Sequence, residues 1–362
     1  MTTTTSSSSP LLRMAETTPT VLWNDSADPR ELSEAMSWGA VGATCNPVIA
    51  LSALKADRPT WAARIEEYAA EHPTATEDEI GWAMVKRLSV DAAKLLMPAF
   101  ERYEGINGRL SIQTDPRLHR DSAGLAAQAL EFNALAPNMI VKIPVTAAGI
   151  DAFEEATYRG VSINATVSFT VPQAVAVAEA VERGLRRREA EGLNISHMGP
   201  VCTIMVGRTD DWMRVSGEKA QVTVDPGITE WAGVAVFKKA YHIYQERGYR
   251  TRLLSAAFRN HMHWSEFIGG DVVISPPFGW QKRFNASSIE PSHRLDDPVD
   301  ARIIEDLYDN FPEFRKAYDE DGLTQEEFST YGATVRTLRQ FLQATNELEA
   351  FVRDVLLPNP DK

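Results

Sequence analysis

The chain has 362 residues, 44% hydrophobic and 24% charged, which is the balance of an ordinary folded protein and excludes global disorder. A formal net charge of −13 opposes nucleic-acid binding, which needs clustered Lys and Arg, and no apolar run approaches the roughly 18 residues that span a bilayer. Cys45 and Cys202 are too few for a disulfide framework, and no Cys/His set has zinc-ligand spacing. The expectations are a cytoplasmic protein with no metal and no membrane partner. The opening MTTTTSSSSP lacks the apolar stretch of a secretory leader, so residues 1–18 read as a flexible tail and residues 19–362 as one domain.

In chain order, short apolar runs ending in small or polar residues recur: TVLWND, GAVGATCNP, RLSIQTD, MIVKIPVT, VSINATVS, GPVCTIMVGR, TRLLSAAFRN and DVVISPP. Each reads as a strand buried on both faces, as parallel sheets require. Helical patterns lie between them, for example Val171, Ala174, Val175, Ala178, Val181 and Leu185 at steps of three and four. About eight alternations predict an α/β fold, a (β/α)₈ TIM barrel whose site lies at the strand C-terminal ends; a doubly wound open sheet is the rival. Residues 70–108 insert a longer helical stretch. The stretch Gln281 to Asp300, polar with scattered Pro, reads as a surface loop. Phe328, Tyr331, Val335, Leu338 and Leu342 mark a C-terminal amphipathic helix.

Lys142 stands out because Ile140, Val141, Ile143 and Pro144 flank it, placing an ammonium inside an apolar strand. At an ordinary lysine pKa only roughly four amines in ten thousand are neutral at pH 7, and desolvation is the usual way to make a nucleophile of one. An isolated strand lysine also fits an ion pair at the strand end. Asp25 fits a helix cap near Pro29, although Asp28 is better placed for it. Arg208 lies two residues from Asp210, and Arg259 fits a pair with an acid on a neighbouring loop. His261 and His263 lack a third ligand, and a metal site is not expected there. The two cysteines read as small buried hydrophobes.

The motifs WNDSAD, GATCNP, QTDPR, VKIPVTAAG, NATVSF, VGRTDDW and AAFRN occur in the order and spacing of the transaldolase family, which the chain resembles from about Val21 to about Leu357. The resemblance implies a (β/α)₈ barrel with Lys142 as the Schiff-base lysine of strand four. It also implies no cofactor, a sugar-phosphate substrate and a homodimer. By the same resemblance, Asp25 handles the sugar hydroxyl proton, Asn46 and Asn164 orient hydroxyls, Thr166 positions a water, and Arg208 and Arg259 hold phosphate. Gln113 departs from the family, where a glutamate is typical; a glutamine resembles the smaller fructose-6-phosphate aldolases of the superfamily. Those aldolases have tyrosine where this chain has Met205. Two family serines are Thr203, near the Schiff base, and Ala257, at the phosphate. The expected activity is transfer of a dihydroxyacetone unit between sugar phosphates. Free aldol cleavage is the alternative, and a sugar-phosphate binding protein without turnover is the third reading.

Overall fold

The computed structural model describes residues 9–361. Eight parallel strands close into a barrel in chain order: β1 (Val21–Asn24), β2 (Ala40–Thr44), β3 (Arg109–Gln113), β4 (Met139–Pro144), β5 (Ile163–Thr166), β6 (Val201–Ile204), β7 (Arg252–Ala256) and β8 (Val273–Ser275). β8 pairs with β1, Val21 opposite Val273, which rules out the open sheet. Each apolar run read from the sequence carries one strand.

The strands alternate between two environments. Leu110, Ile112, Met139, Val141, Ile143, Ile163 and Ala165 pack outward against the helical layer. Trp23, Ile140, Val201, Leu254, Ala256 and Val273 fill the barrel base. Gly42 makes room for that filling, since a Cβ there would meet the Trp23 ring at about 2.5 Å. Continuing the inward parity one or two steps toward the strand C-terminal ends leads to Gln113, Lys142, Asn164, Thr166 and Thr203. A packed base and a polar upper layer thus follow from one period-two pattern.

The Val171–Ala190 helix buries all six residues of its predicted stripe. Within residues 70–108 the predicted helical stretch is Glu77–Arg102, opened by a capping box between Thr76 and Glu79, and the helix Arg58–Glu71 precedes it. The C-terminal helix, Gly332–Leu356, packs on Pro47–Ala56, Glu77–Arg102 and Val206–Ala220.

Three sequence expectations need correction. Residues 10–17, expected within a flexible tail, form the Pro10–Thr17 helix: Ser9 caps it, Pro10 starts it, and Leu11 and Met14 are buried. The Trp264 indole donates to Met14 Sδ at 3.2 Å, tying this helix to the barrel; the tail expectation for residues 1–8 lies outside the described residues. Gln281, expected in a loop, is fully buried in the Phe278–Asn285 helix, where its amide donates to Asn24 Oδ1 at 2.7 Å. Val335 is 40% exposed, because Thr334, Thr337, Leu338 and Phe341 set the buried face, and Phe328 and Tyr331 precede the helix.

Candidate active site

Lys142 is 4% exposed on β4, between its register partners Gln113 on β3 and Asn164 on β5. Burial lowers its pKa below the ordinary lysine value; Asp25 and then Cys45 oppose this, and Arg208 reinforces it. The Cys45 thiol is pushed up to about 12 by its own burial, so it remains protonated at neutral pH. Asn164 is fixed from both sides: its Nδ2 donates to Ser111 Oγ at 3.1 Å, and Thr203 Oγ1 donates to its Oδ1 at 2.8 Å. Among the described residues, Gln113 Oε1 and Thr166 Oγ1 are buried without a hydrogen-bond partner. Buried polar atoms are rarely left so, and these two are available to a polar ligand or water beside Lys142. Val167, directly after Thr166, has φ 56°, a conformation that costs a β-branched residue about 1–3 kcal/mol.

Asp25 follows β1, half-buried, and its Oδ1 accepts a short hydrogen bond from Thr44 Oγ1. Asp28 does the capping, accepting from the amides of Arg30 at 2.8 Å and Glu31 at 3.2 Å. Asp25 is therefore free of that structural duty. Asn46, by contrast, does cap: its Oδ1 accepts from the Ile49 amide at 3.0 Å, which leaves its Nδ2 donors to face other partners.

The two predicted arginines meet at one rim, on the C-terminal side of the adjacent strands β6 and β7. Arg208 lies in the first turn of Val206–Ala220, and Asp210 is not its partner. Instead its Nη1 donates to Thr337 Oγ1 at 3.1 Å, and burial, aided by Arg259, lowers its pKa to about 10. Arg259 is exposed and pairs with Asp211 at 2.7 Å, which is the neighbouring-acid alternative left open by the sequence. Asp210 is committed elsewhere. Fully buried, it accepts from the Gly233 amide at 2.8 Å and contacts His263 Nε2 at 2.9 Å, while the Arg259 amide donates to His263 Nδ1 at 3.0 Å. His263 thus acts as a strut under the Arg259 backbone, whereas His261 is exposed and contacts Ser265 Oγ. Among the described residues no group of His, Cys, Asp and Glu could hold a metal.

Sequence reasoning missed the residues that the C-terminal helix brings to this rim. A cavity of about 410 Å³ is lined by Arg208, Asp211 and Arg259, and by Arg336, Thr337 and Arg339 of that helix. Arg336 and Arg339 carry no local motif; only the docking of a helix more than 70 residues downstream adds them.

A profile described as Transaldolase/Fructose-6-phosphate aldolase matches residues 22–351. The chain is 35% identical to a transaldolase of Thiobacillus denitrificans over 215 residues, 58% of each chain. It is 31% identical to a transaldolase of Mycolicibacterium smegmatis, over 57% of this chain and 55% of that protein. A transaldolase of Kocuria rhizophila is 29% identical over 57% of this chain and 56% of its own. The matched stretch thus spans little more than half the length of these relatives. No helix among the described residues is long and apolar enough to cross a membrane. With the profile covering residues 22–351 and the eight strands closed into a barrel, the chain belongs to the transaldolase/fructose-6-phosphate aldolase family.

Proposed function

We propose that the chain is a Schiff-base enzyme that moves a three-carbon dihydroxyacetone unit from a ketose phosphate to an aldose phosphate, with residues 19–362 as one catalytic domain. The observation that carries this reading is a lysine held almost fully buried on β4 with its pKa lowered by desolvation, beside a half-buried carboxylate. The neutral amine adds to the donor ketone and loses water to form an imine. The carboxylate of Asp25 takes the proton of the hydroxyl whose carbon leaves as an aldehyde, while the electron pair of the broken carbon–carbon bond flows into the imine and leaves an enamine. Attack of that enamine on an acceptor aldehyde and hydrolysis of the imine complete transfer. Asn164 and Asn46 would hold the donor hydroxyls, Gln113 and Thr166 a water, and Thr203 the amide of Asn164. Arg208 and Arg259 would hold the substrate phosphate; the chemistry asks nothing of a cofactor.

Free aldol cleavage remains the second reading because of one residue. Gln113 cannot ionise, so it can orient a water but cannot exchange a proton with it as a carboxylate would. The test of the central reading is borohydride added with a ketose phosphate, which reduces an imine to a stable secondary amine. Loss of activity with an adduct mapped to Lys142 is expected; an adduct elsewhere, or full activity in Lys142→Ala, would overturn it. Product analysis without an acceptor separates cleavage from transfer.

A further inference from the structure

Four guanidiniums, those of Arg208, Arg259, Arg336 and Arg339, line the rim cavity, and among the described residues Asp211 is the one acid that lines it with them. That acid is occupied, bonded by Arg259 and by Arg214. Among the described residues Arg336 and Arg339 have no carboxylate within ion-pair distance. Exposed Arg58, Arg102, Arg120 and Arg302 likewise have no ion pair among the described residues, so what sets Arg336 and Arg339 apart is the cavity they share with two further guanidiniums. Acids outnumber bases 50 to 37, and where arginines cluster elsewhere on the surface acids sit among them: Arg183 and Arg187 share Glu154, and Arg250 takes Glu182 and Glu189. Gathering like charges is unfavourable, and here the effect is felt: both Arg259 and Arg336 press down the pKa of Arg208. A concave site with four guanidiniums and a single acid is the arrangement that an anion completes.

The geometry divides the cluster. Arg208, half-buried in the first turn after β6 and bonded to Thr337, forms the inner end of the cluster. Arg336 and Arg339 stand one helical turn apart on the C-terminal helix, exposed, and flank buried Thr337, whose hydroxyl already accepts from Arg208. One phosphate held by Arg208 and Arg259 leaves these two without a partner, and a cavity of about 410 Å³ lies within the size range of sites for whole small ligands. We infer that Arg336 and Arg339 form a second phosphoryl subsite, so that the substrate class includes sugars whose end remote from the carbonyl carries two phosphoryl groups. This rests on the reading of Arg208 and Arg259 as the first phosphate site.

The test is calorimetric titration of the full chain with inorganic phosphate, pyrophosphate and citrate at a fixed ionic strength of about 0.15 M, where distant surface charges are screened. Pyrophosphate should bind at least about tenfold tighter than phosphate, the scale of one added bidentate arginine contact. In the double variant Arg336→Gln and Arg339→Gln that advantage should shrink to about twofold or less, with phosphate affinity changed less than about threefold. Both side chains are solvent-exposed, so the variant is expected to keep its melting temperature. Equal affinity for the two anions in wild type, or an undiminished advantage in the variant, overturns the inference. So does citrate matching pyrophosphate and losing as much in the variant, which would mean unspecific attraction. Failure of the first site reads differently: Arg208→Gln would then leave phosphate binding intact.

Discussion

The barrel mouth holds two polar regions that differ in almost every physical respect. Around Lys142 the groups are buried and mostly neutral, with Asn164 hydrogen-bonded from both sides. At the rim, Arg259, Arg336 and Arg339 are exposed, charged and long. A dry site changes what a group is, since desolvation turns an ammonium toward a free amine; a wet rim changes only what the group attracts, and salt weakens that attraction. Under the proposed reading, chemistry falls to the buried region and affinity to the rim, and substitutions should sort accordingly.

The largest effect belongs at depth. Lys142→Ala should lower turnover by at least about 10⁴-fold, and Lys142→Arg equally, because a guanidinium stays protonated and cannot form the imine. Steady-state rates with intact-mass analysis after borohydride check both; a few percent of residual activity would show that depth is not where the chemistry sits. The same burial predicts a stability gain. The folded-state pKa of Lys142 lies below the unfolded value, so between the two the unfolded chain binds more protons, and this group's contribution to stability rises with pH. Lys142→Met should therefore stabilise the protein by about 1 kcal/mol at pH 7, an advantage that shrinks as pH rises toward 10. Urea midpoints at pH 7 and 9.5 measure it, and a pH-independent difference would mean that packing rather than charge is responsible. Asp25→Asn comes next, with a loss of about 10²–10⁴-fold in turnover if it transfers a proton. A loss under threefold would return Asp25 to a structural role.

The rim should give smaller effects that appear in KM. Among the described residues Arg208 has no carboxylate partner, and it is partly desolvated, whereas Arg259 must loosen from Asp211 before it can embrace a phosphate. Arg208→Gln should therefore raise KM for a phosphorylated donor about tenfold or more, and Arg259→Gln only about three- to tenfold, with kcat nearly unchanged in both. Unphosphorylated donors should barely register either change. Equal losses for both donor types would make the arginines structural, and a larger loss at Arg259 would invert the proposed order of depth.

These contrasts also mark where the sequence was legible. The eight strands could be read because parallel strands buried on both faces leave continuous apolar runs, and Lys142 interrupts one of them. Asp28 could be preferred over Asp25 as a cap because capping is local, set by amides two and three residues away. The Pro10–Thr17 helix was missed although Ser9 and Pro10 form a start signal, since eight residues give too little periodicity to separate it from the polar tail before it. The Asp210–His263 contact spans 53 residues, and the approach of Arg336 to Arg208 depends on a docked helix. Such long-range pairings follow from tertiary packing and leave no mark in spacing.

The finest test sits at the boundary between the two regimes, on β3. Gln113 is the register partner of Lys142, buried, and its Oε1 has no hydrogen-bond partner among the described residues. Gln113→Glu keeps the shape and adds a titratable group. Its carboxylate beside Lys142 would favour the ammonium, so the lysine pKa should rise and the acid limb of kcat/KM should move to higher pH. The same carboxylate can exchange protons with a neighbouring water, which the amide cannot. By the resemblance seen in the sequence, glutamate at this position goes with transfer and glutamine with release of a free ketone, so the ratio of transfer to acceptor-free cleavage should rise by about two- to tenfold. One reaction series with and without an aldose acceptor, run across pH, reads both outcomes. A shifted acid limb with an unchanged product ratio would leave Gln113 tuning the lysine alone and remove the support for cleavage; an unmoved limb would mean that the introduced acid stays protonated in its buried place.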